Sequence, residues 1–547
     1  MLKSQPVPPV PEITARAAHA AFPKGHRYLT IRDNLGTIFT DEMFSNLFPT
    51  NGRPAEAPWR LALVTIVQHA EGLSDREAAD AVRDRITLRY LLGLEYDDPG
   101  FDYSILSRFR DRLIEGGAEH LLLDTLIETC KGAGLIKARG KSRTDATHIL
   151  AAARAMDRLE NVTETLRAAL NTVAKIEPEW LKAFAPAEWY KRYSRRAETY
   201  QLLGKGKSKH RSEQGLALFE QVGRDGMKLL SAIYSGGAPT CLQDLPSVDI
   251  LRQCWMEQFW FDDGVVKLRD NDGMRPSAKR QDTPYDIEAK RGTKGGRFWL
   301  GYKVHYTESC DDDVPHLVLH VDTTEPAVAD SARVAPIHEA LEKKDLLPTE
   351  HFVDNHYVNS KLLVTSKKQH GVALVGPIKP YREPKGFSID LFEVDWEREV
   401  VTCPAGKTSI HWRPEVPKSG REHVVVGFAP GDCKACPLNE RCAKNTSRVG
   451  RTLAFLPREQ YEAREKVKRV QGTWEWREHY NIRRGIEGTF SQAVSLGLRQ
   501  SRYHSFKKNH LQNLAIAAGV NFQRLSDWFE ELPRAKTRTS RFAALRA

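Results

Sequence analysis

The chain has 547 residues and a mass of 61.9 kDa, several times a typical domain, so two to four folding units are expected. With 41% apolar and 28% charged residues it is globular, which excludes a mainly disordered chain, and it has no run of about 18 apolar residues that could span a membrane. Lys and Arg number 82 against 71 Asp and Glu, and the resulting net charge of +11 suits a polyanionic partner.

The opening MLKSQPVPPVPEITARAAHA puts Pro and charge where a signal peptide needs an apolar stretch, so a cytoplasmic location is expected. Residues 1–40 read as an irregular arm, and residues 41–135 as a helical domain. There PWRLALVTIVQHAEGL has helical apolar spacing, Ser74-Asp75-Arg76-Glu77 reads as a capping box, and a third helix begins near Ser104. On that helix Arg108 and Arg112 share one face and Ile105, Phe109 and Leu113 another, as in a DNA-contacting bundle or in any solvated surface helix.

A basic approach, Lys137 to Arg143, leads into a short predicted strand over 142–147, and Ile149 to about Ile176 reads as one long helix. Residues 177–235 are helical and basic; Lys205, Lys207, Lys209 and Arg211 suit either a phosphate backbone or a solvated loop. Beyond about 285 the period changes to 2, with strands over Phe298–Tyr306 and His316–Val321 joined by Asp311-Asp312-Asp313. A helix near 330–344, a strand over Glu350–Asp354, a helix near 359–369 and a strand over Val372–Val375 follow, which predicts a mixed α/β fold. Residues 377–455 break that rhythm as an insertion, helices resume from about 456 to 528, and Arg534, Lys536, Arg538, Arg541 and Arg546 form a basic tail.

Asp145 and Asp354 each terminate a predicted strand, and Glu487 lies on a helix with Tyr480, Arg483 or Arg484 and Ser491 on the same face. Three carboxylates so placed make an oxygen-ligand site for a pair of divalent metal ions acting on a phosphodiester. Asp322, Asp330, Asp286 and Glu288 are rival carboxylates in the same region. Basic and aromatic residues interleave at Trp474, Trp476, Arg477, Tyr480, Arg483 and Arg484, and again at Arg499, Arg502, Tyr503, Lys507 and Lys508, where they can meet phosphates and stack on a frayed base, Trp476 being the one read as core.

Eight cysteines are too few for a disulfide scaffold. Cys130, Cys241, Cys254 and Cys310 stand apart and read as free thiols, whereas Cys403, Cys433, Cys436 and Cys442 have the pattern C-x29-C-x2-C-x5-C. That cluster reads as a structural Zn²⁺ site or as reduced thiols, with an iron–sulfur cluster as a third reading.

Five ordered blocks carry a resemblance: Ser142 to Ala152 followed by Asp157-Arg158-Leu159-Glu160, Gly301 to His305, His351 to Val358, Tyr480 to Thr489, and Ser501-Arg502-Tyr503-His504 with Asn509 to Asn513. Together they resemble the DDE-type transposases of bacterial insertion sequences over nearly the whole chain. The resemblance implies an RNase H-like core over 136–376 and 456–530, with a helical insertion at about 149–285 and the cysteine-bearing insertion at 377–455. A DNA-binding helical domain at 41–135 precedes the core, and a basic tail at 531–547 follows it. It further implies that Asp145, Asp354 and Glu487 bind two Mg²⁺ or Mn²⁺ ions, and that element ends are nicked and the freed 3′-OH joined to target DNA. Tyr480, Arg483, Arg484, Arg499 and Arg502 would position that DNA. The partners implied are double-stranded DNA, as terminal inverted repeats and target, and further copies of the chain in a homodimer or larger homo-oligomer. Seven residues past Glu487, where related transposases carry a lysine, this chain has Val494. A non-catalytic DNA-binding protein and a metal-dependent nuclease without strand transfer remain open on the residues alone.

Overall fold

The computed structural model describes residues 1–198, 213–262, 265–270, 273–381, 387–418, 420–442, 450–534 and 545. The basic run at Lys205, Lys207, Lys209 and Arg211, and the tail residues Lys536, Arg538, Arg541 and Arg546, lie outside them.

Seven helices open the chain: α1 Glu12–Ala21, α2 Arg27–Leu35, α3 Pro58–Ala70, α4 Asp75–Asp84, α5 Ile86–Leu91, α6 Ser104–Glu115 and α7 Leu121–Gly132. The first 40 residues are therefore not an irregular arm. Ala18 of α1 and Leu29 of α2 are buried with Tyr90, a tertiary contact that a short Ala-rich segment does not announce. The expected capping box is present: Ser74 accepts from the Glu77 backbone N–H, and the Glu77 carboxylate accepts from the Ser74 N–H.

The sheet begins with β1 Lys141–Leu150, longer than expected, because Leu150 exchanges backbone hydrogen bonds with Arg499 and Ser501 across 350 residues of chain. Ile149 is thus in a strand, and the helix expected there starts only at α8 Arg158–Ile176, capped by Asp157. After α8 come α9 Pro178–Phe184, α10 Ala187–Tyr193, α11 Glu213–Tyr234, α12 Pro246–Gln258 and a hairpin of β2 Phe259–Asp262 and β3 Val265–Leu268, so the insertion is not wholly helical. Its own core gathers Leu159, Val162, Leu166, Val222, Leu251 and Trp255.

The chain then returns to the sheet with β4 Lys290–Lys294, β5 Arg297–Ser309, β6 Val318–Thr324, α13 Val334–Lys343, β7 Glu350–Val353, α14 Ser360–His370 and β8 Ala373–Val375. Strand β5 runs antiparallel to β1 and carries β4 and then β6 on its other edge, while β7 and β8 continue parallel beyond β1. The order β6-β5-β1-β7-β8, with helical crossovers between the parallel strands, is that of an RNase H-like core. Gly301 (φ 151°) lets β5 pass Ile149 closely; a Cβ there would meet the Ile149 carbonyl oxygen at 1.9 Å.

Small sheets follow, β9 Glu393–Asp395 with β10 Val400–Thr402 and then β11 His411–Glu415, β12 His423–Gly427 and β13 Thr452–Phe455, with α15 Pro430–Ala435 and α16 Asn439–Cys442 inserted before β13. The chain ends with α17 Arg458–Val470, α18 Trp474–Tyr480, a 3-10 turn Asn481–Arg484, α19 Gly485–Ser495 and α20 Phe506–Phe529. Helix α20 is buried along most of its length and joins the N-terminal helices to the sheet in one core that includes Trp59, Val64, Phe109, Tyr302, Tyr306, Leu511, Ile516 and Phe522. Among the described residues no helix is long and apolar enough to cross a membrane.

Candidate active site

Asp145 lies within β1, not at its end as the sequence pattern suggested, and the parallel register pairs Thr144 with Val353. Asp354 follows Val353 as Asp145 follows Thr144, so continuing the register puts the two acids on neighbouring strands, near enough for the Asp354 charge to act on Asp145. The turn Asn481–Arg484 and the start of α19 cross above them. From that turn Arg483 donates from Nη1 to Asp145 Oδ2 at 2.8 Å and from Nη2 to Glu487 Oε1 at 3.3 Å. One guanidinium thus spans two of the three expected carboxylates, each on a separate nitrogen of its planar fork.

Tyr480 donates its hydroxyl to the Val353 carbonyl at 2.9 Å and stacks on Trp476 at 4.7 Å, which locks α18 to the end of β7. Burial pushes the Tyr480 phenol up to about 12, so it remains a neutral donor. Asp354 accepts from the His356 backbone N–H at 2.7 Å and faces His356 Nδ1 at 3.1 Å. The Asp145 carboxyl lies above the ordinary range: its burial raises it, Arg483 pulls the other way, and the Asp354 charge raises it further. Glu487 is the exposed member, with 67% of its side chain open to solvent.

On the Glu487 side lies an open cleft of about 370 Å³ lined by Trp474, Arg477, Tyr480, Arg483, Arg484 and Glu487, among others; Asp145 and Asp354 are not part of its lining. Arg484 is exposed there, and Trp474 is 70% exposed, so its ring face is free for a planar partner. Two expected DNA-positioning arginines are placed differently. Arg499 is exposed at the far end of β1, beside Leu150. Arg502 donates to the Leu73 carbonyl at 2.7 Å, so its side chain ties the C-terminal segment to the helical domain and does not face the cleft. Likewise Arg112 is spent on the Leu47 carbonyl and the Phe48 ring, which leaves Arg108 as the exposed cation of the expected basic stripe on α6.

The rival carboxylates have structural partners: Asp322 pairs with Arg333 at 2.5 Å, Asp330 with Lys303 at 2.7 Å, Asp286 accepts from Tyr302 at 2.7 Å, and Glu288 accepts from the Phe506 N–H at 2.8 Å. Among the described residues no three His, Cys, Asp or Glu side chains are gathered tightly enough to hold a metal as they stand, and at the Asp145–Glu487 pair Arg483 supplies the positive charge.

Sequence reasoning missed the layer beneath. Glu308 of β5 is fully buried and accepts from Arg143 Nε at 2.6 Å, Arg524 Nη1 at 2.6 Å and the Thr489 hydroxyl at 2.5 Å. Arg143 also donates to the Ile482 carbonyl at 2.6 Å, directly under Arg483. Beside it Thr144 bonds His351 at 2.6 Å and His351 bonds His338 at 2.9 Å. The basic residue two before Asp145, on the same face of β1, was the available signal, but its partners are hundreds of residues away.

A family model described as Transposase DDE domain matches residues 402–526, and one described as Transposase domain (DUF772) matches residues 16–112. The first takes in α17 to α19 with Tyr480, Arg483 and Glu487; Asp145 and Asp354 lie outside both matched segments. Comparison with curated proteins and with solved structures gives no match. Two separate transposase models thus match parts of the chain, and with the RNase H-like strand order they support a DDE-type transposase of an insertion sequence.

Proposed function

We propose that this transposase nicks the ends of its insertion sequence and joins the freed 3′-OH to target DNA, with Asp145, Asp354 and Glu487 as the catalytic carboxylates. The observation that carries the reading is the Arg483 fork between Asp145 and Glu487, above adjacent strands that set Asp354 beside Asp145. The three carboxylates are hard oxygen donors of the kind that suits Mg²⁺ or Mn²⁺, and burial together with the Asp354 charge already disfavours an unneutralised Asp145. Two such ions, when bound, activate a water or a 3′-hydroxyl and stabilise the leaving oxygen of an in-line displacement at phosphorus.

The chain's own groups do the positioning. Released from Asp145, the Arg483 fork reaches the cleft and donates to a non-bridging phosphate oxygen, while Arg477 and Arg484 hold flanking phosphates. Trp474 offers a stacking face to a base unpaired at the cleaved end. Tyr480 keeps the helix at its distance from β7 through the Val353 carbonyl. Work on two element ends at once calls for a homo-oligomer on DNA.

The test is cleavage and joining of a labelled element-end duplex, taken from the DNA flanking the coding region, with Mg²⁺ or Mn²⁺. Wild type should nick and join, while Asp145→Asn, Asp354→Asn and Glu487→Gln bind the duplex and do neither. Nicking without joining would make the protein a nuclease, binding without nicking would make it a DNA-binding protein, and variants that cut like wild type would place the chemistry elsewhere.

A further inference from the structure

The four clustered cysteines, with 29 residues between Cys403 and Cys433 alone, line one small cavity of about 40 Å³. Cys403 sits at a tight turn after β10, where its N–H donates to the Lys407 carbonyl at 2.8 Å and its carbonyl accepts from the Gly406 N–H at 2.8 Å. Cys433 and Cys436 flank the end of α15, and Cys442 closes α16. The Arg451 backbone N–H donates to Cys433 Sγ at 3.3 Å, the kind of bond that stabilises sulfur carrying negative charge. All four thiols are free, and the side chains of Lys407 and Arg451 line the same cavity.

We propose that Cys403, Cys433, Cys436 and Cys442 bind one structural zinc ion. Four soft thiolates, two of them in the Cys433-x2-Cys436 pair, are a tetrahedral zinc set, and hard cations are poor rivals for it. Binding releases the thiol protons and leaves a site of net negative charge beside Arg451, whose Nε is buried without a partner, while Lys407 is paired with Asp432 of the same cavity at 3.4 Å. The sulfurs surround the cavity without reaching coordination distance. The backbone at all four cysteines is already hydrogen-bonded, so side-chain movement is what remains for closing on an ion.

The fold gives the ion a purpose. Among the described residues the core of this insertion is seven side chains, Phe392, Val401, Val424, Val426, Phe428, Leu453 and Phe455, which is small for five short strands and two short helices. The insertion in turn braces α17, through the Trp396 and Phe455 rings on Tyr461 and the Glu397 carboxylate on Arg458. Helix α17 leads through α18 to the turn Asn481–Arg484 that carries Arg483, so the insertion braces a helix upstream of the fork.

Full-length protein, purified without chelators from zinc-supplemented cells, should carry about one zinc per chain by mass spectrometry of the metal. Cys436→Ser and Cys403→Ser should each lower that content at least tenfold, and Cys241→Ser, at an exposed thiol elsewhere, should not. Because a cysteine variant can fail to fold, wild type is also exchanged into Co²⁺, where tetrahedral thiolate ligation shows as intense visible bands and a sulfur charge-transfer band. Zinc that persists undiminished in a folded Cys436→Ser protein, a wild type without zinc and silent with Co²⁺, or iron in place of zinc would each overturn the proposal. None of these readouts depends on strand transfer, so the zinc site and the proposed reaction stand or fall separately.

Discussion

Arg143 holds the fully buried Glu308 from Nε at 2.6 Å and, with the other end of the same guanidinium, the Ile482 carbonyl at 2.6 Å. The strand that bears Asp145 is thereby tied to the turn that bears Arg483. Arg524 completes the lock from α20, bonding Glu308, Thr489 and the His316 carbonyl at 2.6 Å each. Three elements far apart in sequence meet on one carboxylate, and the distance from β1 to α19 follows from their geometry.

Breaking that lock should be costly. Glu308→Gln leaves two guanidinium groups without a counter-charge and should destabilise the protein by ~3–5 kcal/mol, read as a lowered denaturant midpoint. Burial raises the Glu308 carboxyl, but Arg524 and Arg143 outweigh it and hold it below the ordinary range. A carboxyl lowered by folding stabilises above its unfolded value of about 4.3 and loses that contribution as pH falls through the lower folded one. Wild type should therefore lose melting temperature more steeply than Glu308→Gln as the pH is taken below about 4. Equal slopes would show that the network carries little free energy.

Two glycines of α19 make a contrast of sign. A Cβ on Gly485 would lie 2.0 Å from Arg143 Nη1, and that guanidinium is pinned on both sides; a Cβ on Gly488 meets nothing within 4 Å. Gly488→Ala should stabilise by ~0.5–1 kcal/mol through helix propensity. Gly485→Ala should destabilise by ~1–3 kcal/mol, because the overlap must push Arg143 off Glu308 or tilt α19. The comparison is one thermal melt of each variant beside wild type.

These relationships mark where sequence reading stops. Asp354 was legible because a short apolar run, His351-Phe352-Val353, ends at it, and the face shared by Arg483 and Glu487 follows from helical spacing. Ile149 and Leu150 read as helix because Ala-rich chain follows them; the partner that makes them a strand, Arg499 to Ser501, is invisible to any local pattern. Glu308 looks like an ordinary strand-end acid until Arg143 and Arg524 arrive from opposite ends of the chain. Helix α1 was hidden in the same way, since what fixes it is burial against α2 and Tyr90. Periodicity shows what one element does, and ion pairs across hundreds of residues show what the fold does.

The carboxylate site should trade stability for metal. Burial and the neighbouring Asp354 raise Asp145, so its charged form is disfavoured in the fold, and stability falls as pH rises from the unfolded value to the raised one. Asp145→Asn removes that charge and should melt no lower than wild type at neutral pH, in contrast to Glu308→Gln. Millimolar Mn²⁺ should raise the melting temperature of wild type, since a ligand bound only to the folded state stabilises it, and should leave Asp145→Asn and Asp354→Asn unmoved. A metal-induced rise retained in both variants would remove these residues from the metal site.

Recognition of the element ends is the task we assign to the N-terminal helices, and the shared core dictates how it is tested. Removing residues 1–135 would strip Trp59, Val64 and Phe109 from α20 and the sheet and expose a broad apolar face, so the truncated chain should aggregate and report nothing about DNA. Charge reversal on the solvent side avoids this. Arg108 is exposed on α6, and Arg76 is exposed on α4, where it lies 4.6 Å over the Tyr103 ring. Arg76→Glu with Arg108→Glu should leave the melting temperature within about 2 °C of wild type, as surface changes do. The pair should weaken end binding about tenfold or more at low salt and flatten its dependence on salt, because fewer phosphates are neutralised. Unchanged affinity and salt slope, measured by titration of the labelled end duplex at several salt concentrations, would move end recognition away from this face of the helices.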